Sequence, residues 1–147
     1  GKFGGDLAAL NALGTLLAER SAEFYEAAPL PDVIVPVPLH LSRLKERGFN
    51  QCRELARPLS RFLKIPVDVR LLTRPLFSTA QAQLGRKLRK ELIQPFAASS
   101  MVKGQRILLV DDVCTTGTTL RHATECLFHA GAVQVDVAVL ARASIRT

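Results

Sequence analysis

The sequence contains few of the features that mark extracellular, membrane or zinc proteins. No apolar run approaches the about 20 residues that a membrane helix needs, and nothing resembles a signal peptide. Three cysteines occur, Cys52, Cys114 and Cys126, and they are widely spaced with no C-x-x-C pair. Neither a disulfide framework nor a zinc site is therefore indicated. These absences predict a cytoplasmic protein without membrane insertion.

Aromatic and acidic residues are also scarce. Tryptophan is absent and aromatic residues make up 5% of the chain, which argues against a base-stacking platform for single strands. Thirteen acidic residues stand against twenty Lys and Arg, a net charge of +7. The excess positive charge favours polyanionic partners, whether phosphorylated metabolites, nucleic acid or acidic surfaces. A length of 147 residues suits one domain, residues 1–147, with its own core.

Hydrophobic spacing in the first half predicts two helices around a strand. Leucines and Phe24 at helical spacing predict an amphipathic helix over Asp6–Ala28. Residues 32–35 predict a short buried strand that ends at prolines. A second helix is predicted over Asn50–Lys64, with Cys52 and Phe62 on its apolar face. A break or kink is expected at Pro58, because proline removes a helical hydrogen bond.

The second half continues the alternation. Val67–Leu72 alternates in part and predicts a strand, and Arg106–Val110 predicts a strand buried on both faces. A helix over Leu120–Phe128 follows, with Gly131 placed to cap its C-terminus. Val133–Val139 predicts a last strand. The stretch between residues 74 and 96 is either a basic amphipathic helix or a loop that becomes helical.

This order of elements predicts an α/β fold with an open, mostly parallel sheet flanked by helices. Ligands of such sheets bind beyond the carboxyl ends of the strands. The clearest strand leads into Asp111 and Asp112, and a threonine-rich turn around Gly117 then leads into a helix. A glycine turn at a helix start can hold a phosphate. The carboxylates would then face ribose hydroxyls or Mg²⁺. The simpler alternative is that both aspartates cap the helix.

Residues 107–119 read Ile-Leu-Leu-Val-Asp-Asp-Val-Cys-Thr-Thr-Gly-Thr-Thr and resemble the ribose-phosphate signature of type I phosphoribosyltransferases. Residues 35–40, Val-Pro-Val-Pro-Leu-His, and residues 47–51, Arg-Gly-Phe-Asn-Gln, resemble the ComF/GntX group within that superfamily, which is linked to competence and DNA utilisation. The resemblance covers nearly the whole chain. It implies a type I phosphoribosyltransferase-like fold that binds Mg²⁺ and 5-phosphoribosyl-1-pyrophosphate (PRPP).

The resemblance also implies site residues. Asp111 and Asp112 would contact the ribose hydroxyls, directly or through Mg²⁺, and would be the catalytic carboxylates. The loop Leu39–Arg43 would bind pyrophosphate, and the region from Arg74 to Lys90 would close over the site. Further expected donor-binding residues are His40, Arg43 and Arg47 on the pyrophosphate side, and Thr115, Thr116, Gly117, Thr118 and Thr119 around the 5-phosphate.

Two departures from the family narrow these expectations. Thr115 stands where members acting on 6-oxopurines place an acidic group, so hypoxanthine-guanine activity is not expected. ComF-like proteins commonly carry an N-terminal zinc-binding segment, absent from this chain, which we therefore expect to be a catalytic-domain fragment or a shortened member.

Three hypotheses remain open. The chain transfers phosphoribose and releases pyrophosphate, or it senses the donor without turnover while its basic surface contacts single-stranded DNA or a competence-machinery protein, or it only binds nucleic acid.

Overall fold

The computed structural model describes residues 4–39, 44, 49–75, 95–114 and 116–142. Several predictions fall on other residues and lie outside this range. They are the donor-binding roles of His40, Arg43, Arg47 and Thr115, and nearly all of the basic stretch between residues 74 and 96.

Three parallel strands form the main sheet, in the order Val33–Pro36 (β1), Arg106–Cys114 (β4) and Gln134–Arg142 (β5). The central strand β4 pairs Ile107 with Val33 of β1 and with Val135 of β5. The apolar run from Ile107 to Val110 is buried, as expected of a strand covered on both faces. The predicted open, mostly parallel sheet is therefore confirmed. The strands are Val33–Pro36 (β1), Leu72–Thr73 (β2), Ala97–Ala98 (β3), Arg106–Cys114 (β4) and Gln134–Arg142 (β5).

Helices cover both faces of this sheet. They are Gly4–Tyr25 (α1), Gln51–Leu63 (α2) and Thr118–His129 (α3), with a short 3-10 turn at Ser100–Val102. Because strand side chains alternate between faces, Ile34 and Leu108 pack with α1 and α2, whereas Val35 and Leu109 pack with α3. In the described ranges, no helix is long and apolar enough to cross a membrane.

A close contact between α1 and α2 explains why α2 runs through Pro58. The helix is continuous from Gln51 to Leu63, so Pro58 does not break it, and the alternative of a kink stays a prediction. Pro58 is fully buried and lies against Gly14 of α1. A Cβ atom added to Gly14 would come within 2.8 Å of the Pro58 Cγ atom. The packing of the proline ring at this contact offsets the hydrogen bond that the ring removes.

The buried stripes of α1 and α2 differ from the prediction. In α1 the buried residues include Leu10, Gly14 and Ala18, whereas Phe24 is exposed. Phe62 of α2 is 48% exposed rather than buried with its apolar neighbours. Gly14 and Ala18 are small and let the two helices approach closely, whereas Leu13, Leu16 and Phe24 of α1 are exposed.

The strand predicted over Val67–Leu72 is wrong. Only Val67 pairs with the sheet, through an isolated parallel bridge to Ile34. The chain then turns, because the Asp68 carboxylate accepts hydrogen bonds from the Arg70 backbone N–H at 2.9 Å and from the Arg70 side chain. After this turn, β2 pairs antiparallel with β3.

The predicted glycine cap of α3 is confirmed. Gly131 has a φ of 106°, a value that glycine adopts readily. Its N–H donates to the Phe128 carbonyl at 3.0 Å, and the Ala132 N–H donates to the Leu127 carbonyl at 3.1 Å. This pair of bonds is the Schellman arrangement that ends a helix. It turns the chain directly into β5.

Candidate functional site

The candidate site lies where the carboxyl ends of β1 and β4 meet. Pro36 pairs with Val110, and the Val37 N–H donates to the Val110 carbonyl at 2.9 Å. The chain that leaves β1 therefore passes beside the aspartates that follow Val110. Between them lies a cavity of about 390 Å³, whose lining includes Leu39, Asn50, Cys52, Arg74, Asp111, Asp112 and Thr119.

Asp111 is the buried member of the carboxylate pair. It is 8% exposed, and its Oδ1 atom accepts hydrogen bonds from the Asp112 N–H at 2.9 Å and from the Cys52 thiol at 3.4 Å. Burial raises the pKa of Asp111, and its interactions with the Asp112 side chain raise it further. Asp112 is more exposed, and its Oδ1 atom accepts the Val113 N–H at 2.8 Å.

Cys52 lies in the first turn of α2 and is buried, as predicted for a core position. Burial raises the pKa of its thiol, and the charges of Asp111 and Asp112 add to the effect. The thiol is therefore a neutral hydrogen-bond donor at physiological pH. The sequence predicted a packing residue, and the structure adds a polar contact with the site carboxylate.

Asn50 connects the start of α2 with the end of β1. Its Oδ1 atom accepts the Cys52 N–H at 2.9 Å and thereby caps the helix. Its Nδ2 group donates to the Val37 carbonyl at 3.3 Å. Asn50 is not among the site residues that the sequence predicts, although an asparagine immediately before a helix is a recognised capping signal.

Arg74 places a positive charge at the wall of the cavity. Its Nε–H donates to the Pro38 carbonyl at 2.7 Å, and its guanidinium lies 4.6 Å from the centre of the Phe96 ring. These contacts join the loop after β1 to the residues that lead into β3. Arg74 lines the cavity. The closure of the region from Arg74 to Lys90 over the site stays a prediction.

The threonine turn forms the start of α3. Gly117 is the N-cap residue, with a φ of 81°, and it has no side chain to cap the helix. Thr116 Oγ1 accepts the Thr118 N–H at 3.3 Å. The N-cap of α3 is Gly117, and within the described part of the chain the N–H and S–H groups that donate to Asp111 and Asp112 belong to Asp112, Val113 and Cys52, so the alternative that the aspartates cap the helix is wrong. Apart from that of Thr118, the backbone N–H groups of the first turn of α3 have no partner within the helix and can bind an anion.

The acidic pair offers oxygen ligands to a metal ion. Potential ligand atoms of Cys52, Asp111 and Asp112 lie within 4.8 Å of one another. Mg²⁺ takes oxygen ligands and is commonly bound by one or two carboxylates together with water and substrate phosphates. Asp111 and Asp112 fit this chemistry. The neutral thiol of Cys52 does not suit Mg²⁺ and instead serves Asp111.

The structure brings part of the predicted set together. Leu39, Asp111, Asp112 and Thr119 line one cavity. Thr116, Gly117 and Thr118 form the adjoining turn. Asn50 and Cys52 were missed, because their contacts join segments that are far apart in the chain.

The chain is similar in sequence to one protein family and to several known proteins. The family described as phosphoribosyl transferase domain matches residues 46–147. The DNA utilization protein YhgH of Escherichia coli is 41% identical over 114 residues, which is 77% of this chain and 50% of that protein. Competence protein F of Haemophilus influenzae is 36% identical over 131 residues, 86% of this chain and 57% of that protein.

Competence protein ComFC of Bacillus subtilis is also similar, with 34% identity over 136 residues, 88% of this chain and 51% of that protein. The chain thus spans about half the length of the curated relatives that it matches.

Solved structures agree with the sequence relatives. The glutamine PRPP amidotransferase of B. subtilis, complexed with ADP and GMP, superposes with a TM-score of 0.65 at 26% identity, covering 91% of this chain and 26% of that chain. The purine phosphoribosyltransferase of Pyrococcus horikoshii superposes with a TM-score of 0.56 at 25% identity, covering 90% and 71%. The phosphoribosyltransferase-like α/β fold expected from the sequence is confirmed.

Proposed function

Because this chain belongs to the type I phosphoribosyltransferases, and among them to the ComF-like subgroup, we propose that it binds PRPP with Mg²⁺ and transfers its phosphoribosyl group. The observation that carries this proposal is the pair Asp111 and Asp112 at the end of β4, in a cavity that also reaches Thr119 of α3. The acceptor is a nitrogen nucleophile or water, and pyrophosphate is released. The biological setting we propose is DNA uptake or utilisation.

Each part of the donor has a place in this proposal. The 5-phosphate binds the uncapped N–H groups of α3, which Gly117 leaves open to an anion. The ribose hydroxyls lie at Asp111 and Asp112. The pyrophosphate lies near Leu39 and Arg74, where the guanidinium supplies positive charge. His40, Arg43, Arg47 and Thr115 remain predictions for phosphate contacts.

The chemistry follows from charge. The bond between the ribose and pyrophosphate breaks as negative charge builds on the leaving group and positive charge on the ribose. Mg²⁺, when bound, supplies charge neutralisation at the pyrophosphate. Asp111 and Asp112 orient the ribose, and the fixed guanidinium of Arg74 stabilises the departing pyrophosphate. Holding the donor in one orientation lowers the entropy cost of reaction.

Titration calorimetry with PRPP tests the proposal. Saturable binding that requires Mg²⁺ is expected for the wild type, and Asp112→Asn should lose it. Glu125→Gln is the matched control, because it removes one carboxylate from the exposed face of α3. Binding that is equally strong in Asp112→Asn, or absent from a folded wild-type chain, would refute the assignment. Release of pyrophosphate over several turnovers then separates an enzyme from a donor sensor.

A second candidate function is binding of single-stranded DNA, and a trough beside the site favours it. Leu39 and Asn50 line both the site cavity and a neighbouring depression. Arg53 and Arg57 line that depression and the next one, which also contains Arg70. The trough therefore leads from the carboxylates along α2 past three arginines.

Two of these arginines are already in ion pairs. Arg57 pairs with Glu54 at 3.5 Å, and Arg70 pairs with Asp68 at 3.1 Å. Among the described residues Arg53 has no ion pair, and it is exposed. A DNA phosphate would therefore bind most readily at Arg53 and would compete for the other two.

The salt dependence of DNA binding tests this second candidate. Three phosphate contacts on a single strand give a slope of about −2 in a plot of log affinity against log salt. Arg53→Gln should weaken binding and make the slope shallower. Arg61→Gln is the control, because Arg61 lies on the same helix but bonds Asn11 of α1. A slope near zero, or equal losses in both variants, would exclude the trough.

We also propose the extent of the domain and the cellular location of the protein. We include α1 in the same domain, residues 1–147, because Gly14 packs against Pro58 although α1 precedes the matched residues 46–147. A cytoplasmic location fits the free thiols of Cys52 and Cys126, which a reducing compartment preserves.

A further inference from the structure

The Cys52 thiol is buried, yet it bonds a carboxylate that the proposed function uses. Its Sγ atom lies 3.4 Å from Asp111 Oδ1, and Cys52 is 4% exposed. The same oxygen accepts the Asp112 N–H at 2.9 Å. The Asp112 side chain also interacts with the Asp111 carboxyl group and raises its pKa. The hydrogen bonds from the Cys52 thiol and the Asp112 N–H both reach Oδ1, and neither of them occupies Oδ2.

The backbone that carries the Cys52 thiol is held in place by Asn50. The backbone N–H of Cys52 is held by the side chain of Asn50, which also donates to the Val37 carbonyl at the end of β1. A continuous series of contacts thus runs from β1 through Asn50 and Cys52 to Asp111 on β4. It connects the two strand ends on either side of the cavity by a path separate from the sheet hydrogen bonds.

A carboxylate needs such contacts to keep one orientation. The torsion that rotates a carboxylate about its Cβ–Cγ bond has broad minima, so rotamer preference alone does not select which oxygen faces a ligand. One donor, the backbone N–H of Asp112, is next to Asp111 in the chain and restrains its Oδ1 atom. A second donor, from a different element of the fold, fixes the plane of the Asp111 carboxylate. In this chain only Cys52 occupies that place among the described residues.

We propose that Cys52 is a positioning residue for the ribose-binding carboxylate. Its S–H group, held at the start of α2 by Asn50, occupies Oδ1 of Asp111 so that Oδ2 is presented to a vicinal hydroxyl of the bound ribose. This inference rests on the proposed function, because it assigns a ribose to the cavity. It specifies that Asp111 accepts from the ligand through one oxygen only.

Substitutions at Cys52 separate donation from packing. Cys52→Ser keeps a hydroxyl donor in the same place, whereas Cys52→Ala removes the donor and leaves the Asn50 cap intact, because that cap bonds the backbone. Cys126→Ala is the matched control. It also removes a partly buried thiol donor, but that thiol bonds the Phe96 carbonyl at 3.5 Å and lies outside the cavity lining.

Infrared spectroscopy tests the contact without any ligand. The difference between the wild-type and Cys52→Ala spectra isolates the S–H stretching band of Cys52. We expect this band at lower frequency than that of Cys126, because its acceptor is a carboxylate rather than a peptide carbonyl. Asp111→Asn should move the Cys52 band to higher frequency and leave the Cys126 band in place. A Cys52 band unaffected by Asp111→Asn would overturn the inference.

Calorimetry with PRPP and Mg²⁺ tests the consequence. We expect Cys52→Ala to bind about tenfold more weakly, as is common when a residue that supports a metal or ligand contact is removed. Cys52→Ser should restore affinity close to that of the wild type, and Cys126→Ala should not change it. Equal affinity of all variants would refute the inference alone. A wild-type chain that binds no PRPP would refute the proposed function together with the positioning role.

Discussion

Replacing Gly14 by alanine tests whether α1 packs on α2 as closely as the structure shows. A Cβ atom at this position would lie 2.8 Å from Pro58 Cγ and 3.2 Å from the Leu55 carbonyl oxygen. The first distance is far below a normal contact, and neither neighbour is the flexible end of a side chain. The two helices must therefore separate to accept the methyl group.

The magnitude follows from two opposing contributions. An added methyl group in a tightly packed contact costs about 1–3 kcal/mol, and the short distances place this site at about 2–3 kcal/mol. Alanine also has a better helix propensity than glycine by about 1 kcal/mol. The free energy of unfolding should therefore fall by about 1–2 kcal/mol. Without the steric contact, the same change would be stabilising.

Urea denaturation measures this difference, and two further variants isolate its cause. Ala12→Gly changes propensity alone, because Ala12 is an exposed residue of α1. Pro58→Ala removes the ring atom nearest to the added methyl group, so Gly14→Ala should be neutral or stabilising in that background. If Gly14→Ala is stabilising in both backgrounds, the close contact does not exist, and with it the case for including α1 in the domain would be lost.

Two other predictions concern the site. Gly117→Val should abolish PRPP binding, because it forces a side chain into a left-handed conformation with a φ of 81°. The control Gly104→Val, at a similar φ of 79° outside the site, should lower stability by a similar amount and leave binding by calorimetry unchanged. Equal binding in both variants would contradict the phosphate assignment. Burial raises the pKa of Asp111, so the folded chain retains this proton to higher pH than the unfolded chain. The stability of the wild type relative to Asp111→Asn should be greatest below the ordinary pKa of 3.8 and should fall as pH rises through the raised pKa. Urea denaturation at a series of pH values measures this stability difference. A difference that stays flat or rises with pH would contradict a raised pKa.

The sequence predicted those features that depend on local patterns. The unbroken apolar run of β4 identified the central strand, and the aspartates at its end followed from the position of ligands in such sheets. The glycine after α3 identified its cap. Each of these signals is contained within about ten residues of chain, where periodicity and turn chemistry apply.

The features that were missed depend on contacts between distant segments. The bond between Cys52 and Asp111 joins residues 59 positions apart, and that between Arg74 and Pro38 joins residues 36 apart. In α1 the leucines suggested one buried stripe, but Gly14 and the facing Pro58 fixed another. Around Asp68 a side-chain turn replaced the predicted strand, since carboxylate bonds to nearby N–H groups compete with sheet pairing.

The pairing of β1 with β4 affects the order in which the fold can form during synthesis on the ribosome. Val33 pairs with Ile107, 74 positions further along the chain, so β1 is made long before its partner. At about 5–20 residues per second, β1 waits about 4–15 s for β4 to be synthesised. During that time α2 can already cover one face of β1, because Ile34 packs with residues of α2. The strand edge stays open until β4 arrives, and α3, which packs on the other face, is made only afterwards. The aspartates and Thr119 therefore complete the cavity last.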